Sequence, residues 1–197
     1  MRSKGDVPLR FTDTLKNEHR VIEQVLCCLE KMADRYEAGE RLELVPANEA
    51  LSFFRTFGDS YHHAKEETVL FPIMENKGFS QENGPTGVML HEHEEGRRHV
   101  GAMQDALNHA PEDMVLAGKT FVEHARAFLR LLREHIQKED HCLFPMAEQA
   151  LSTEEQERVQ TSFDEIENLG EETHGQCLDL ANRLANRFDV PIVIACD

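Results

Sequence analysis

His62-His63-Ala64-Lys65-Glu66-Glu67-Thr68-Val69-Leu70-Phe71-Pro72 returns further along the chain as His135-Ile136-Gln137-Lys138-Glu139-Asp140-His141-Cys142-Leu143-Phe144-Pro145. Seven of the eleven positions agree in type: His, Lys, Glu, an acid, Leu, Phe and Pro. Upstream of each block the pair Glu-His also recurs, as Glu18-His19 and Glu92-His93. The chain therefore reads as a duplicated helical hairpin, and two such hairpins pack naturally as an up-down-up-down four-helix bundle with a pseudo-twofold axis. The register pairs His62 with His135 and Glu66 with Glu139, while His63 falls opposite Ile136.

In each block a His and a Glu stand four residues apart, which on a helix puts both on one face a turn from each other. The His62/Glu66 face also carries Phe54, Gly58, Val69, Leu70 and Ile73, and the His135/Glu139 face carries Phe128, Leu131, Leu132, Cys142 and Leu143. His19 shares its face with Leu15, Ile22, Leu26 and Cys27, and His93 with Met89, Leu90 and Val100. All six polar groups thus point at an apolar interior, where imidazoles and carboxylates are costly without strong partners. A metal answers that cost twice over. Four histidines and two carboxylates suit iron or manganese better than calcium or magnesium, and the set lacks the cysteines common in structural zinc sites. Two ions are implied, each taking two histidines, with Glu66 and Glu139 bridging.

Outward from these blocks, apolar residues recur at three- and four-residue spacing and strand signals are almost absent, so the chain is read as all-α. A first helix is expected over 13–38, opening after Thr12 or Asp13 and ending before Gly39. A second runs from Pro46 to Lys77, with Pro72 bending it or starting a new segment. A third spans 88–109 and a fourth 112–151, again with an internal proline, Pro145. Ser152-Thr153-Glu154-Glu155 reads as a capping box opening a fifth helix to about Phe188. Residues 191–196 either dock as an extended tail or fray. One domain is expected over 1–197, with the bundle in 12–151 and the added helix and tail in 152–197.

The chain has 197 residues, with 37 Asp and Glu against 21 Lys and Arg and a formal net charge of -16. Its basic residues are scattered among carboxylates, which argues against nucleic acid or an anionic membrane surface as partner. Nothing approaches the ~20 apolar residues that span a bilayer, and the opening residues lack a signal-peptide core, so a cytoplasmic location is expected. Cys27, Cys28, Cys142, Cys177 and Cys196 form no CxxC and read as reduced thiols. His91, His99, His109 and His141 lie off the ligand faces and are expected to be solvated. His124 shares the face of His135 but stands three turns away.

Taken together, Glu18 to Ile22, His62 to Pro72, Glu92 to Arg97 and His135 to Asp140 resemble the hemerythrin-like (HHE cation-binding) domains across about residues 12–151. The resemblance implies a four-helix bundle around two non-haem iron ions (Fe2+/Fe3+), compatible with an oxo or hydroxo bridge. It also implies a small diatomic or peroxide ligand: dioxygen, peroxide or nitric oxide, to be carried, sensed or turned over. Carried over position by position, the ligands are His19, His62, Glu66, His93, His135 and Glu139.

Two departures follow. Oxygen-carrying hemerythrins supply a further histidine one turn before the third-helix ligand, and here Met89 stands there. Its replacement is sought among His63, Glu23 and His174. The family's last carboxylate often lies five residues after its histidine, which keeps Asp140 open as an alternative to Glu139. Arg97 and Glu23, at pseudo-equivalent positions, form either a salt bridge across the bundle end or two unrelated surface charges. The competing functional reading is an iron- or oxygen-responsive regulatory module without turnover, its output segment being the fifth helix. A ferritin-like oxidase would need two Glu-x-x-His pairs, and only Glu171-x-x-His174 has that form. The sequence names no protein partner.

Overall fold

Each of the two repeated prolines opens a new α-helical segment just beyond a widened turn. The computed structural model describes residues 10–82 and 84–193, so the opening residues on which the signal-peptide reading rests, and the end of the tail with Cys196, lie outside it. The second rod of the bundle is built from α2 (Leu44–Phe53), π-helical segments at Phe54–His63 and Glu66–Leu70, and α3 (Phe71–Asn76). The fourth consists of α5 (Met114–Lys138), a π-helical turn at Glu139–Leu143 and α6 (Phe144–Ala150). Pro72 and Pro145 lack the N–H that would close an α-turn, and their rings crowd the carbonyl four residues back. The chain responds identically in both rods: the Phe71 N–H reaches back to the Glu66 carbonyl, and the Phe144 N–H to that of Glu139. π-turns of this kind gather at functional sites. Here they fall on the repeated glutamates.

The other rods are regular. α1 (Phe11–Glu37) starts slightly earlier than Thr12 or Asp13 would have it as caps, because Asp13 instead reaches back and accepts the Arg10 N–H at 3.1 Å. It ends where Gly39 takes a φ of +94°, a conformation that costs glycine little. α4 (Pro85–His109) starts three residues before Val88, with Pro85 in the first turn, where a missing N–H does no harm. α5 starts at Met114 because Asp113 is the cap, accepting from the N–H groups of Val115 and Leu116. α7 (Thr153–Phe188) opens on the expected capping box, with Ser152 and Glu155 bonding reciprocally.

α4 packs chiefly on α5, α1 on α5, and α7 lies along α1 and the second rod. The described residues contain no strand. The result is an all-α four-helix bundle with an additional C-terminal helix. Its core is split in two. One apolar cluster holds Ile22, Val25, Leu29, Phe53, Phe57, Phe121, Leu129 and Ile136; the other holds Phe11, Leu15, Leu70, Phe71, Met89, Leu143, Phe144 and Phe163. His19 lies in sequence between Leu15 and Ile22, and His93 between Met89 and Val100, so the polar groups form the layer between the clusters. Cys142, expected inside, is exposed, because the widened turn at Glu139–Leu143 swings it outward. No helix among the described residues is long and apolar enough to cross a membrane.

Candidate metal centre

Two groups of four side chains share this layer. His19, His62, Glu66 and Glu139 form one, and His63, Glu66, His93 and His135 the other; within each, one ligand atom per residue lies within 4.8 Å of all the rest. Each group could hold a metal ion, and Glu66 belongs to both. Its two oxygens divide between them, Oε1 standing 3.6 Å from His62 Nε2 and Oε2 3.5 Å from His93 Nε2. Glu139 Oε2 lies 3.2 Å from both His19 Nε2 and His135 Nε2. The Nε2 atoms of His93 and His135 face each other at 3.1 Å.

A second layer aims every imidazole. His62 Nδ1 meets Glu18 at 2.8 Å, and at the duplicated position His135 Nδ1 meets Glu92 at 3.0 Å. His19 Nδ1 meets Asp140 and His93 Nδ1 meets Glu67, both at 2.7 Å, each contact crossing from one hairpin to the other. The carboxylates are held in turn: Glu18 by Lys65, Glu92 by Lys138, Asp140 by Arg20 and Glu67 by Arg97. Phe144 stacks on His19 and Phe71 on His93, with ring centroids 5.6 and 5.9 Å apart. Every matched position of the repeat thus has a structural task. Outer-layer carboxylates of this sort fix the ring tautomer and leave Nε2 free for a cation.

Five atoms of this layer are buried without a hydrogen-bond partner: His19 Nε2 and both oxygens of Glu66 and of Glu139. Leaving a buried polar group unpaired costs about 1–3 kcal/mol, and more for a charge. The electrostatics show the same conflict. Burial, reinforced by Glu139 and Glu18, pushes the Glu66 carboxyl well above its ordinary range. Burial acts on Glu139 in the same sense, yet the imidazoles of His135 and His19 hold it well below. Against its own burial, His135 is raised to about 9, chiefly by Glu139. Burial lowers His62, His93 and His63, the last to about 3, so these rings are neutral, the form that binds metal. A pair of cations would satisfy all five orphan atoms and end the repulsion between the carboxylates, and the nitrogen and oxygen donors fit iron or manganese.

The remaining candidates are placed differently. His63 joins the second group, with its Nδ1 3.4 Å from Asp59 and its ring stacked on His93 at 3.7 Å. Asp140 bonds His19 and Arg20 and is in neither group. Glu23 pairs with Arg20 at 2.9 Å, and Arg97 with Asp59, Glu67 and Glu94; the two do not meet, because each has nearer partners. His174, on α7, stacks on Phe57 and Tyr61 of the second rod and is likewise in neither group. His91, His109 and His141 are exposed. His99 is half-buried, its Nδ1 3.0 Å from that of His124 across α4 and α5, so this pair partly withdraws from solvent. Four cysteines, Cys27, Cys28, Cys142 and Cys177, are free.

Comparison with known proteins agrees with this geometry. The family model described as Hemerythrin HHE cation binding domain matches residues 10–147. An uncharacterized protein of Mycobacterium tuberculosis is 25% identical over 163 residues, covering 83% of this chain and 63% of the relative. Iron-sulfur cluster repair protein YtfE of Dickeya chrysanthemi is 31% identical over 88 residues, 44% of this chain and 40% of the relative. YtfE of Escherichia coli is 32% identical over 90 residues, covering 45% and 41%. The chain therefore spans less than two thirds of the length of these relatives. No solved structure gives a significant match.

Proposed function

From the premise that this chain belongs to the hemerythrin HHE cation-binding domain family, we propose that it is a di-iron protein whose ligand or substrate is dioxygen, peroxide or nitric oxide. Its ligands are His19, His62, Glu66 and Glu139 for one ion and His63, Glu66, His93 and His135 for the other. The observation that carries the reading is the shared Glu66, whose two unpartnered oxygens face histidines of different groups. His63 takes the place of the histidine missing at Met89. Iron is favoured over manganese because several relatives carry a name that refers to iron-sulfur clusters.

When bound, the irons supply electron transfer to and from the small molecule. The chain itself does the rest. Glu18, Glu67, Glu92 and Asp140 orient the imidazoles through Nδ1, and the apolar clusters on either side exclude bulk water from the polar layer. We place the protein in the cytoplasm, where its thiols stay reduced.

A second reading, an iron- or oxygen-responsive regulatory module, is supported by α7. Its Glu167 bonds Lys65 at 2.7 Å, Lys65 bonds Glu18, and Glu18 holds His62, so the added helix is wired to a metal ligand. The test is metal analysis followed by stopped-flow mixing of the diferrous protein with oxygen, peroxide and nitric oxide. About two irons per chain and a fast spectral response to one of the three are expected. A stable response indicates carriage or sensing, and repeated peroxide consumption indicates an enzyme. Iron retained with no response to any of the three, or no iron at all, overturns the proposal.

A further inference from the structure

A cavity of about 320 Å³ lies among the second rod, α4, α5 and Ile22 of α1, bordered by the exposed Arg55 and by the buried side of His63 and His93. It is far larger than a diatomic molecule or peroxide requires. A cavity of about 150 Å³ with an apolar lining already accepts benzene.

Part of its wall is made by glycines. Gly58 on the second rod and Gly101 on α4 both border it, and a Cβ added at either would meet nothing within 4 Å; at Gly96 it would touch only the Phe128 ring, at 3.5 Å. Glycine weakens a helix relative to alanine. Two other helical glycines have a packing reason. A Cβ at Gly118 would collide with Tyr36, and one at Gly170 would press on Tyr61. At Gly58 and Gly101 the space they keep open is the cavity itself.

What remains of the lining selects a chemistry. Phe54 and Phe128 meet edge to face at 5.0 Å and, with Val100 and Leu132, make an apolar wall against which a further flat ring can pack. The charged lining cancels, Arg55 and Arg97 against Asp59 and Glu92. Arg97 is already bonded to Asp59 at 2.9 Å, and Glu92 to His135 and Lys138, so no free charge awaits an ionic ligand at the inner end.

We propose that this cavity is a binding site for a neutral aromatic molecule of one or two rings, phenol to indole in size, entering past Arg55. The site exists independently of the metals. Only its position as the chamber next to the His63 and His93 group rests on the di-iron reading.

The test is calorimetric titration of the metal-loaded full chain with phenol, indole and benzoate, with iron content measured on the same samples. Saturable binding of phenol or indole at one per chain is expected, with benzoate at least tenfold weaker. Gly101→Leu, which fills the open space, is expected to weaken the neutral probe at least tenfold while iron content is unchanged, and Gly175→Leu, on exposed helix away from the cavity, to leave binding as it was. Gly101→Met serves the same purpose should the leucine variant fold poorly. Absence of saturable binding by both neutral probes, binding unaffected by either Gly101 variant, or a preference for benzoate overturns the proposal. Aromatic binding by a chain that holds no iron would sink the di-iron reading and leave the cavity site standing.

Discussion

Lys65 and Lys138 occupy the same position in the two hairpins and live in different worlds. Lys65 is 0% exposed, held by Glu18 and by Glu167 of α7, with its ammonium 4.1 Å from the centre of the Tyr61 ring. Lys138 bonds Glu92 in the same way but is 40% exposed. The two copies have thus kept one inner architecture and diverged in their outer cover. α7 seals the first, while the second hairpin contributes α4 to the cavity wall. His63, opposite Ile136, gives the first copy one more imidazole than the second. A duplicated motif therefore fixes where the polar layer stands, and the unduplicated parts decide what reaches it.

The largest effect that would break this comparison concerns the glutamates. Glu66→Ala, which removes the residue common to both groups, should bring metal content close to zero, whereas Glu139→Ala should retain about one ion. Equal metal loss from the two variants would show that the copies are equivalent. Next in size are the lysines. Lys65→Ala leaves the buried Glu18 with only its bond to His62 and no lysine to balance its charge, and should cost about 3–5 kcal/mol in denaturant unfolding. Lys138→Ala, at the surface, should cost less than about 1 kcal/mol.

Smaller still are the bonds that cross between hairpins. Asp140→Asn and Glu67→Gln should each weaken metal affinity by about 10–100-fold, measured by competition with a chelator. Similar losses would sharpen the pseudo-twofold picture, and a loss confined to one would restrict it to the ligands. The smallest effect belongs to the solvent side, where Arg133 bonds Glu30 at 2.7 and 2.9 Å and holds its carboxyl below the ordinary value of 4.5. A depressed carboxylate stabilises the fold above its unfolded value and loses that contribution as pH falls. Melting temperatures of the wild type and Glu30→Gln should therefore differ slightly at pH 7, by less than about 1 kcal/mol of stability, and converge below about pH 4.

The bundle and the polar layer were legible because duplication marks them twice and helical spacing aims them inward. The second layer was not, although its signal was present. Glu18 and Glu92, Lys65 and Lys138, and Glu67 and Asp140 all recur, but a charged residue beside a histidine reads equally well as a solvated surface. Only the packed structure shows Lys65 without access to water. The role of His63 was also ambiguous, since adjacent helix positions differ by about 100° and only one of a pair normally faces inward. The π-helical run at Phe54–His63 widens the turn and lets both His62 and His63 reach the centre. Register rules for an ideal α-helix cannot foresee that. The cavity was invisible for the opposite reason, because glycines announce flexibility in a sequence and here they keep a volume empty.

The wide turns at Glu66 and Glu139 also bear on which changes in chain length this protein can survive. A turn closed five residues back houses one residue more than its α-helical surroundings. Deleting Thr68, which is exposed, would let the rod close as ordinary helix with everything beyond it close to its present orientation, whereas a deletion in a regular α-helix rotates one side against the other by about 100°. Phe71 would then keep its stack on His93. Such a deletion should cost less metal than deleting the exposed His91 from the regular α4, where nothing absorbs the lost residue between Met89 and His93, so the widened turns are where this chain best tolerates a gap.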